Sequence, residues 1–408
     1  MNCRFCNASL NKVFIDLGES PPSNSFLNAA DLNKPEARYP LKVYVCESCF
    51  LVQIGELKKA TDIFSNEYAY FSSFSTTWLA HAKQYVDMMI GRFHFDQKSK
   101  VIEIASNDGY LLQYFKQHNI PVLGIEPTAN TAKVAIEKGI DTITDFFGVK
   151  LANKLASEGK KADLLLGNNV LAHVPDINDF VKGLKLVLNP TGVITMEFPH
   201  LVQLVENSQF DTIYHEHFSY LSFSVVVKIF AQNGLEMFDV EEIPTHGGSL
   251  RIYAKHKEDS SKLISEKVKL LLDKENKLGV NSIVYYANFQ QKIDTIKTSF
   301  LKFLHEAKKQ GKKVCGYGAA AKGNTLLNYC DITSELITFV VDASPHKQSK
   351  YMPGSKIPVV SEQTIKDTHP DYIVIFPWNI KDEIIKQLLY IRGWNGKFVV
   401  VIPEFMAL

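Results

Sequence analysis

Residues 101–115 read VIEIASNDGYLLQYF, and this stretch decides the fold of most of the chain. Four residues typical of a buried strand lead into a small polar turn, and a stretch with helical spacing follows. The same alternation continues through PVLGIEP, NTAKVAIEKG and ADLLLGNNVLA, within residues 121–172. Strands that alternate with helices predict βαβ units around a parallel sheet. We therefore predict an α/β fold with a Rossmann-like central domain at residues 81–255.

The rest of the 408-residue chain is long enough for further domains. Residues 1–80 carry turn signals and little helical periodicity, which predicts a small loop-rich module with a capping segment. A Lys-rich stretch with helical spacing predicts a connector at residues 256–300. The motif KKVCGYGAAAKGNTLLNYC then starts a second strand, glycine-rich turn and helix. Short apolar strands follow it, so residues 301–408 are predicted to form a smaller, Rossmann-like α/β domain.

Charge and hydropathy exclude several kinds of partner. Lys and Arg number 45 against 44 Asp and Glu, so the net charge of +1 gives no reason to expect nucleic-acid binding. No stretch approaches the roughly 20 apolar residues of a membrane span, and the first residues lack the apolar core of a secretory signal. We expect a cytoplasmic protein without a membrane partner, and the sequence is compatible with a monomer.

Four of the six cysteines form two CxxC pairs near the N-terminus. The pairs are Cys3 with Cys6 and Cys46 with Cys49. Two such pairs in a module with little core predict a tetrahedral zinc site, and four thiolates close its coordination shell, so the metal is expected to be structural. Scattered reduced thiols or a redox pair are the alternatives, but a redox pair usually begins a helix in a βαβ unit.

Polar residues at the ends of three successive predicted strands indicate a cofactor site. The turn Asn107-Asp108-Gly109 has one glycine where a dinucleotide motif has three, so it offers more room to a nucleoside than to a pyrophosphate. Glu126 ends the next strand, where an acidic residue can hold a ribose diol. The alternatives are that Asp108 caps a helix and that Glu126 is a solvated strand end. The predicted cofactor-binding residues are Glu103, Ala105, Asn107, Asp108, Gly109, Glu126, Pro127, Asn168 and Asn169.

The segment TIYHEHFSY places two tyrosines, two histidines and a glutamate within seven residues, from Tyr214 to Tyr220. A neutral imidazole, with an ordinary pKa near 6.5, is available at pH 7 as a general base. Metal binding of the HExxH type does not fit, because His215 and His217 are two positions apart rather than four. A packed patch of histidines and aromatic rings without catalysis remains the alternative.

A series of motifs follows the cysteine pairs along the chain. They are EIASNDG, GIEPTANTA, LAHVPD, DTIYHEHFSYLS, HGGSLR and GYGAAAKGN. Together, and in this order, they resemble the sugar C-methyltransferases of deoxysugar biosynthesis over essentially the whole chain. The resemblance implies a zinc module, a domain that binds S-adenosylmethionine, and a C-terminal Rossmann-like domain. It also implies a 4-keto sugar linked to a nucleoside diphosphate, such as dTDP or GDP, that is methylated at C3.

The resemblance further implies roles for individual residues. It makes His217 the catalytic base, with Tyr214, Glu216, His173 and a tyrosine of EYAYFSS as partners, and of the two tyrosines there Tyr68 is preferred to Tyr70. Lys322 and its small neighbours suit a diphosphate, although a close-packed turn would look alike. The expected substrate-binding residues are Tyr70, His215, His246, Gly318, Lys322, Asn324 and Asp342.

Two other function classes compete with this prediction. An NAD(P)-dependent oxidoreductase or epimerase would need a full GxGxxG motif or a YxxxK pair as part of a catalytic set, and the sequence supplies neither. A zinc-ribbon binding module would explain the cysteines alone. Transfer of the methyl group to oxygen or nitrogen stays open, because the same cofactor site serves all three chemistries.

Overall fold

The computed structural model describes residues 1–55 and 70–408. The N-terminal module is built on a four-stranded antiparallel sheet in the order β1-β2-β3-β9. Its strands are β1 (Lys12–Ser20), β2 (Tyr39–Val45), β3 (Val52–Ile54) and β9 (Ser219–Tyr220). The last strand belongs to the TIYHEHFSY segment, so the predicted catalytic segment completes the sheet of the zinc module.

The central domain is a seven-stranded sheet in the order β10-β11-β8-β7-β4-β5-β6. Its strands are β4 (Val101–Ile104), β5 (Val122–Ile125), β6 (Thr142–Ile143), β7 (Ala162–Asn168), β8 (Leu188–Pro199), β10 (Leu235–Ile243) and β11 (Ser249–His256). Only β11 runs antiparallel to its neighbours. The chain leaves β4 for β5 on one side and returns to β7 on the other, so the carboxyl end of β4 is a topological switch point, where α/β sheets bind ligands.

Helices cover both faces of the central sheet. They are α1 (Thr76–Phe93), α2 (Leu112–Gln117), α3 (Ala129–Glu137), α4 (Val149–Ser157), α5 (Ile177–Val187), α6 (Leu201–Glu206) and α7 (Phe223–Gln232). The four residues of β4 are all buried between them, which is why VIEI reads as a continuous strand rather than an alternating one. No helix within the described ranges has both the length and the apolar character that a membrane crossing requires.

The C-terminal domain is a second, smaller sheet in the order β14-β13-β12-β15-β16-β17, parallel except for β17. Its helices and strands, with the two helices that lead into it, are α8 (Glu266–Leu278), α9 (Phe289–Lys309), β12 (Val314–Tyr317), α10 (Ala321–Tyr329), β13 (Val340–Val341), β14 (Val359–Val360), α11 (Gln363–Thr368), β15 (Tyr372–Ile375), α12 (Lys381–Gln387), β16 (Lys397–Val400) and β17 (Met406–Ala407). The predicted fold class, a zinc-binding-like module followed by two Rossmann-like α/β domains, is confirmed.

One hydrophobic core joins all three units. Phe14 of the module stacks on Phe289 of α9 with ring centroids 4.6 Å apart, and both belong to the same buried cluster as Phe218 and Val374. Burial of each such aromatic side chain contributes about 1.5–3 kcal/mol, so the shared cluster stabilises the packing of the units on one another. The segment from Tyr214 to Tyr220 therefore lies where the three units meet.

Candidate active site

A cavity of about 430 Å³ opens at the carboxyl edge of the central sheet, beside the switch point of β4. This volume lies in the usual range of small-molecule sites. Of the residues predicted to bind the cofactor, the structure places six in the cavity wall, namely Ala105, Asn107, Glu126, Pro127, Asn168 and Asn169. His173 and Tyr70 line it too. Glu103, Asp108 and Gly109 are not part of the wall.

The turn after β4 shapes the floor of this cavity through its backbone. Ala105, Asn107 and Gly109 all have positive φ angles, of 57°, 49° and 74°. A Cβ atom on Gly109 would lie 2.4 Å from the side chain of Ile140, so glycine is required there for packing as well as for its φ angle. The turn keeps bulk away from the strand end, and the cavity occupies the space that results.

Glu126 is a fixed, buried carboxylate and not a solvated strand end. It is 4% exposed, and it accepts the backbone N–H groups of Asn107 at 2.9 Å and Thr128 at 2.9 Å. Burial raises its pKa, while these hydrogen bonds favour the charged form. Oε1 also accepts the hydroxyl of Thr128 at 2.5 Å, so Oε2, which accepts only from Asn107, is the oxygen that can receive a ribose hydroxyl group.

The side chains of Asn107 and Asp108 hold the segment 70–75 over the cofactor turn. Asn107 Oδ1 accepts from Ser72 N at 2.9 Å, and Asp108 Oδ2 accepts from Ser73 N at 3.3 Å and from Lys138 Nζ at 3.4 Å. Asp108 therefore binds this segment rather than the cavity. Behind it lies the fully buried Glu103, whose pKa is raised well above its ordinary value by burial and by nearby carboxylates.

Several wall residues were missed by sequence reasoning. Asp145, Phe146 and Phe147 follow β6, and Trp78 and Tyr110 come from α1 and the turn before α2. β6 has only two residues, so it has no apolar run to mark it as a strand. The sequence did contain a signal, namely an acidic residue and two aromatic residues shortly after Thr142–Ile143. Because every parallel strand ends at the same edge of the sheet, these side chains could have been expected at the cavity.

His217 has one unprotonated nitrogen. Its Nδ1–H donates to the carbonyl oxygen of Thr212 at 2.8 Å, so Nε2 is the acceptor and receives the hydroxyl of Tyr214 at 2.8 Å. The residue is 9% exposed. Burial, and then the neighbouring ring of His173, hold the pKa of His217 well below its ordinary value, so the imidazole is neutral at pH 7.

His173 stands between His217 and the cavity. The two ring centroids are 4.6 Å apart, and His173 Nδ1 donates to the carbonyl oxygen of Glu216 at 2.7 Å. Burial lowers the pKa of His173 to about 4. Two neutral imidazoles therefore lie in contact, with His173 in the cavity wall and His217 behind it in the TIYHEHFSY segment.

The predicted partner Glu216 and the predicted substrate-binding residue His215 face other neighbours. The carboxylate of Glu216 accepts from the amide of Asn24 at 2.6 Å, and His215 Nε2 lies 3.3 Å from the carbonyl oxygen of Tyr39. Both contacts reach into the N-terminal module. Tyr68 lies outside the described residues, whereas the nearby Tyr70 is in the cavity wall and 47% exposed.

The loop that carries His246 and Gly247 contacts both the central and the C-terminal domain. The amide of Asn169 donates to His246 Nε2 at 2.9 Å, and burial lowers the pKa of this histidine to about 4. The next residue, Gly247, has a φ angle of 90°, and a Cβ atom there would lie 2.2 Å from the Trp378 ring. The loop after β15, which carries Trp378, is thus packed directly against the cofactor side of the crevice.

Lys322 enters the same crevice from the N-terminus of α10. Its Nζ donates to Asn379 Oδ1 at 2.9 Å and lies 4.3 Å from the centre of the Trp378 ring. Trp378 Nε1 in turn donates to the buried Asp211 at 2.8 Å. Burial lowers the pKa of Lys322 to about 8 and raises that of Asp211 to about 6. The C-terminal side of the crevice therefore holds a cation, Lys322, whose charge is partly offset by the carboxylate of Asp211.

The other residues predicted on this domain have local packing contacts. Gly318, at φ 89°, lies where a Cβ atom would be 2.5 Å from Pro377. Asn324 is fully buried and accepts the amide of Asn328, and Asp342 accepts Ser344 N at 2.8 Å and Lys347 Nζ at 3.4 Å. The glycine-rich motif thus has a close-packing role in addition to presenting Lys322.

Arg251 of the HGGSLR motif is a buried cation. It binds Glu197 at 2.6 Å and Glu241 at 2.9 Å, and Glu197 also binds His81 at 2.8 Å. Because this network lies beneath Trp78 on α1, it fixes the wall of the cavity.

The four N-terminal cysteines converge on one point. Their sulfur atoms all lie within 4.8 Å of one another, with Cys3 and Cys49 3.5 Å apart and Cys6 and Cys46 3.5 Å apart. Zn–S bonds of about 2.3 Å in a tetrahedron give sulfur separations of roughly 3.8 Å, so the arrangement fits zinc. Cys315 and Cys330 are buried in the C-terminal domain.

Comparison with protein-family models gives three matches along the chain. A zinc binding domain matches residues 3–64, a methyltransferase domain matches residues 79–240, and a C-methyltransferase C-terminal domain matches residues 244–403. The C-methyltransferase NovU of Streptomyces niveus is 32% identical over 98% of this chain and 95% of its own length.

Other similarities are more partial. The ubiquinone biosynthesis O-methyltransferase of Bartonella tribocorum is 26% identical over 30% of this chain and 51% of its own length. The crystal structure of the PH0226 protein from Pyrococcus horikoshii covers 46% of this chain and 95% of that one, at 16% identity and a TM-score of 0.39.

Proposed function

We propose, from the premise that this chain belongs to the C-methyltransferase family and is an S-adenosylmethionine-dependent enzyme with a zinc-binding module, that its substrate is a nucleotide-linked 4-keto-deoxysugar. The methyl group would go to C3, next to the ketone. One observation carries the proposal: the neutral imidazole of His217, whose unprotonated Nε2 accepts from the hydroxyl of Tyr214, lies one ring away from the cavity.

The cavity wall fits S-adenosylmethionine by its chemistry. Glu126 would accept a ribose hydroxyl through Oε2. The wall residues after β6 would enclose the adenine, with Phe146 and Phe147 offering apolar surface and Asp145 an acceptor for its amino group. When bound, the cofactor supplies an electrophilic methyl group. The chain's own residues must therefore provide the nucleophile, and carbon is a nucleophile only after it has lost a proton.

His217 is suited to remove that proton. In the proposed step Nε2 takes the proton from C3, and the electron pair of the C–H bond moves into an enolate. C3 then bonds to the methyl carbon as the carbon–sulfur bond breaks. The carbonyl oxygen of Thr212 keeps Nδ1 protonated and holds the ring, so the charge that forms on the imidazole is shared with a fixed acceptor.

Tyr214 is positioned to respond to this step. Its hydroxyl occupies Nε2 in the described structure, and burial raises its pKa well above the ordinary value, so it remains a neutral donor. A sugar carbon that approaches Nε2 would take its place. The released hydroxyl could then donate to the enolate oxygen, where negative charge develops.

The C-terminal domain would hold the nucleotide. Lys322 offers a positive charge at the edge of the crevice, where a diphosphate could neutralise it. An anionic substrate there would also raise the pKa of the nearby imidazoles and so strengthen the base.

The test is to incubate the enzyme with S-adenosylmethionine and a panel of dTDP- and GDP-linked 4-keto-6-deoxy sugars, and to measure the gain of one methyl mass. A second measurement follows the C3 proton in deuterium oxide without methyl donor. Exchange is expected with the wild type, since only C-methylation requires that proton to leave. Product formation without any exchange would instead favour transfer to oxygen or nitrogen.

A further inference from the structure

Arg4 lies between two zinc ligands, Cys3 and Cys6, and its backbone is fixed by them. Its N–H donates to Gln53 Oε1 at 2.9 Å, and the amide of Gln53 donates to the sulfur of Cys3 at 3.1 Å. The position of Arg4 therefore depends on the geometry of the cysteine cluster.

The side chain of Arg4 contacts the segment that follows His173, the ring of Phe218, and strand β3 of its own module. Nη1 donates to the carbonyl oxygen of Pro175 at 2.7 Å, and Nη2 donates to that of Ile54 at 2.6 Å. The guanidinium lies 5.3 Å from the centre of the Phe218 ring. Pro175 is in the cavity wall two residues after His173, and Phe218 directly follows His217.

Hydrogen bonds between neutral groups also join the module to the same two segments. The amide of Asn178 donates to the carbonyl oxygen of Phe5 at 2.8 Å, and Ile54 N donates to that of Phe218 at 3.1 Å. Both bonds join neutral groups. Hydrogen bonds that involve a charged group contribute about twice as much, and Arg4 makes one of these to the segment after His173, as the carboxylate of Glu216 does to Asn24. Of these two links, Arg4 is the one whose backbone is held by the cysteine cluster.

We propose that Arg4 is a positioning residue that transmits the order imposed by zinc to the two segments that carry His173 and His217. The planar fork of a guanidinium can satisfy two carbonyl oxygens at once, which a single ammonium group does less well. Misplacement of reacting groups by about 1 Å can cost a hundredfold in rate. The catalytic part of this inference rests on the proposed function, and the structural part does not.

The test compares Arg4→Met and Arg4→Lys with Arg38→Met, since Arg38 is an exposed arginine of the same module whose guanidinium donates to the carbonyl oxygen of Glu19 at 3.3 Å. Zinc content is measured first, and amide hydrogen exchange is then followed by NMR. We expect zinc to be retained in all three variants. In both Arg4 variants the amides of His173 and Phe218 should exchange about 10-fold faster, while Gly316 in the C-terminal sheet is unchanged. Arg38→Met should match the wild type.

Kinetics supply a second readout. In Arg4→Met we expect kcat to fall about 100-fold, and the acid limb of the pH profile to move up towards 6.5 as water reaches the His217 ring. Uniformly faster exchange, or exchange unchanged at His173 and Phe218, would overturn the proposal. If Arg4→Met loses zinc, the test rests on Arg4→Lys, and the amide exchange rates of His173 and Phe218 in that variant support or refute the proposal. Amide hydrogen exchange needs no sugar, so it tests the role of Arg4 even if no sugar of the panel is methylated.

Discussion

Replacing His217 by Asn removes the proposed base and leaves most of its surroundings intact. An asparagine amide nitrogen lies near the place of Nδ1, so it can still donate to the carbonyl oxygen of Thr212, which Nδ1 contacts at 2.8 Å. It has no atom in the place of Nε2. General base catalysis contributes roughly 100- to 10,000-fold, so kcat should fall by that factor. The affinity for S-adenosylmethionine should change less than about threefold, because His173 stands between this residue and the cavity.

The decisive assay for this variant is exchange of the C3 proton of the sugar in deuterium oxide, with calorimetry for the methyl donor. His118→Asn is the matched control, because His118 is an exposed histidine whose ring lies 3.6 Å from Asp87, far along the sheet from the site. It should show wild-type exchange. A His217→Asn enzyme that exchanges the proton at a near-normal rate would remove His217 from the role of base.

Three further predictions follow from the same geometry. Because the pKa of His217 is lowered, its imidazole stays neutral as the pH falls to 6.5, so the acid limb of kcat/KM should lie below pH 6.5; a limb above pH 7 would contradict this. Lys322→Met should raise the KM for the nucleotide sugar about 10- to 100-fold and leave the affinity for S-adenosylmethionine unchanged by calorimetry. Gly109→Ala should destabilise the protein in urea by about 2–4 kcal/mol, from its φ of 74° and the clash with Ile140, whereas Gly159→Ala, at φ 70° with open space around it, should cost only about 1 kcal/mol.

The sequence predicted those features that depend on neighbouring residues or on the edge of one sheet. Parallel strands all end at one edge, so Glu126 and Asn168 could be assigned to the same crevice before their contacts were known. The zinc site could be predicted from the cysteine pairs for a similar reason, because a CxxC turn already brings two sulfur atoms together. In both cases the number of residues between two side chains nearly determines the distance between them in the folded protein.

Contacts between distant segments could not be predicted in this way. The side chains of Asn107, which lines the cavity as expected of a cofactor residue, and of Asp108 also hold the segment 70–75, which joins them only in the folded chain. Glu216 was expected beside His217, yet its carboxylate reaches Asn24, which is 192 positions away. Arg4 gave no signal at all, since its partners are backbone carbonyl oxygens 50 and 171 positions away along the chain.

The position of the proposed base, His217, depends on contacts with all three units. Thr212, which fixes the His217 ring, is next to Asp211, and Asp211 is bound by Trp378 of the C-terminal domain. On the other side of the histidine, Phe218 N donates to the carbonyl oxygen of Ala172 in the central domain, and β9 pairs with β3 of the zinc module. In the proposed reaction the base is therefore complete only when both outer units are docked on the central one. An enolate formed in an open site would be reprotonated by water, so coupling the base to a closed assembly favours capture of the methyl group by carbon.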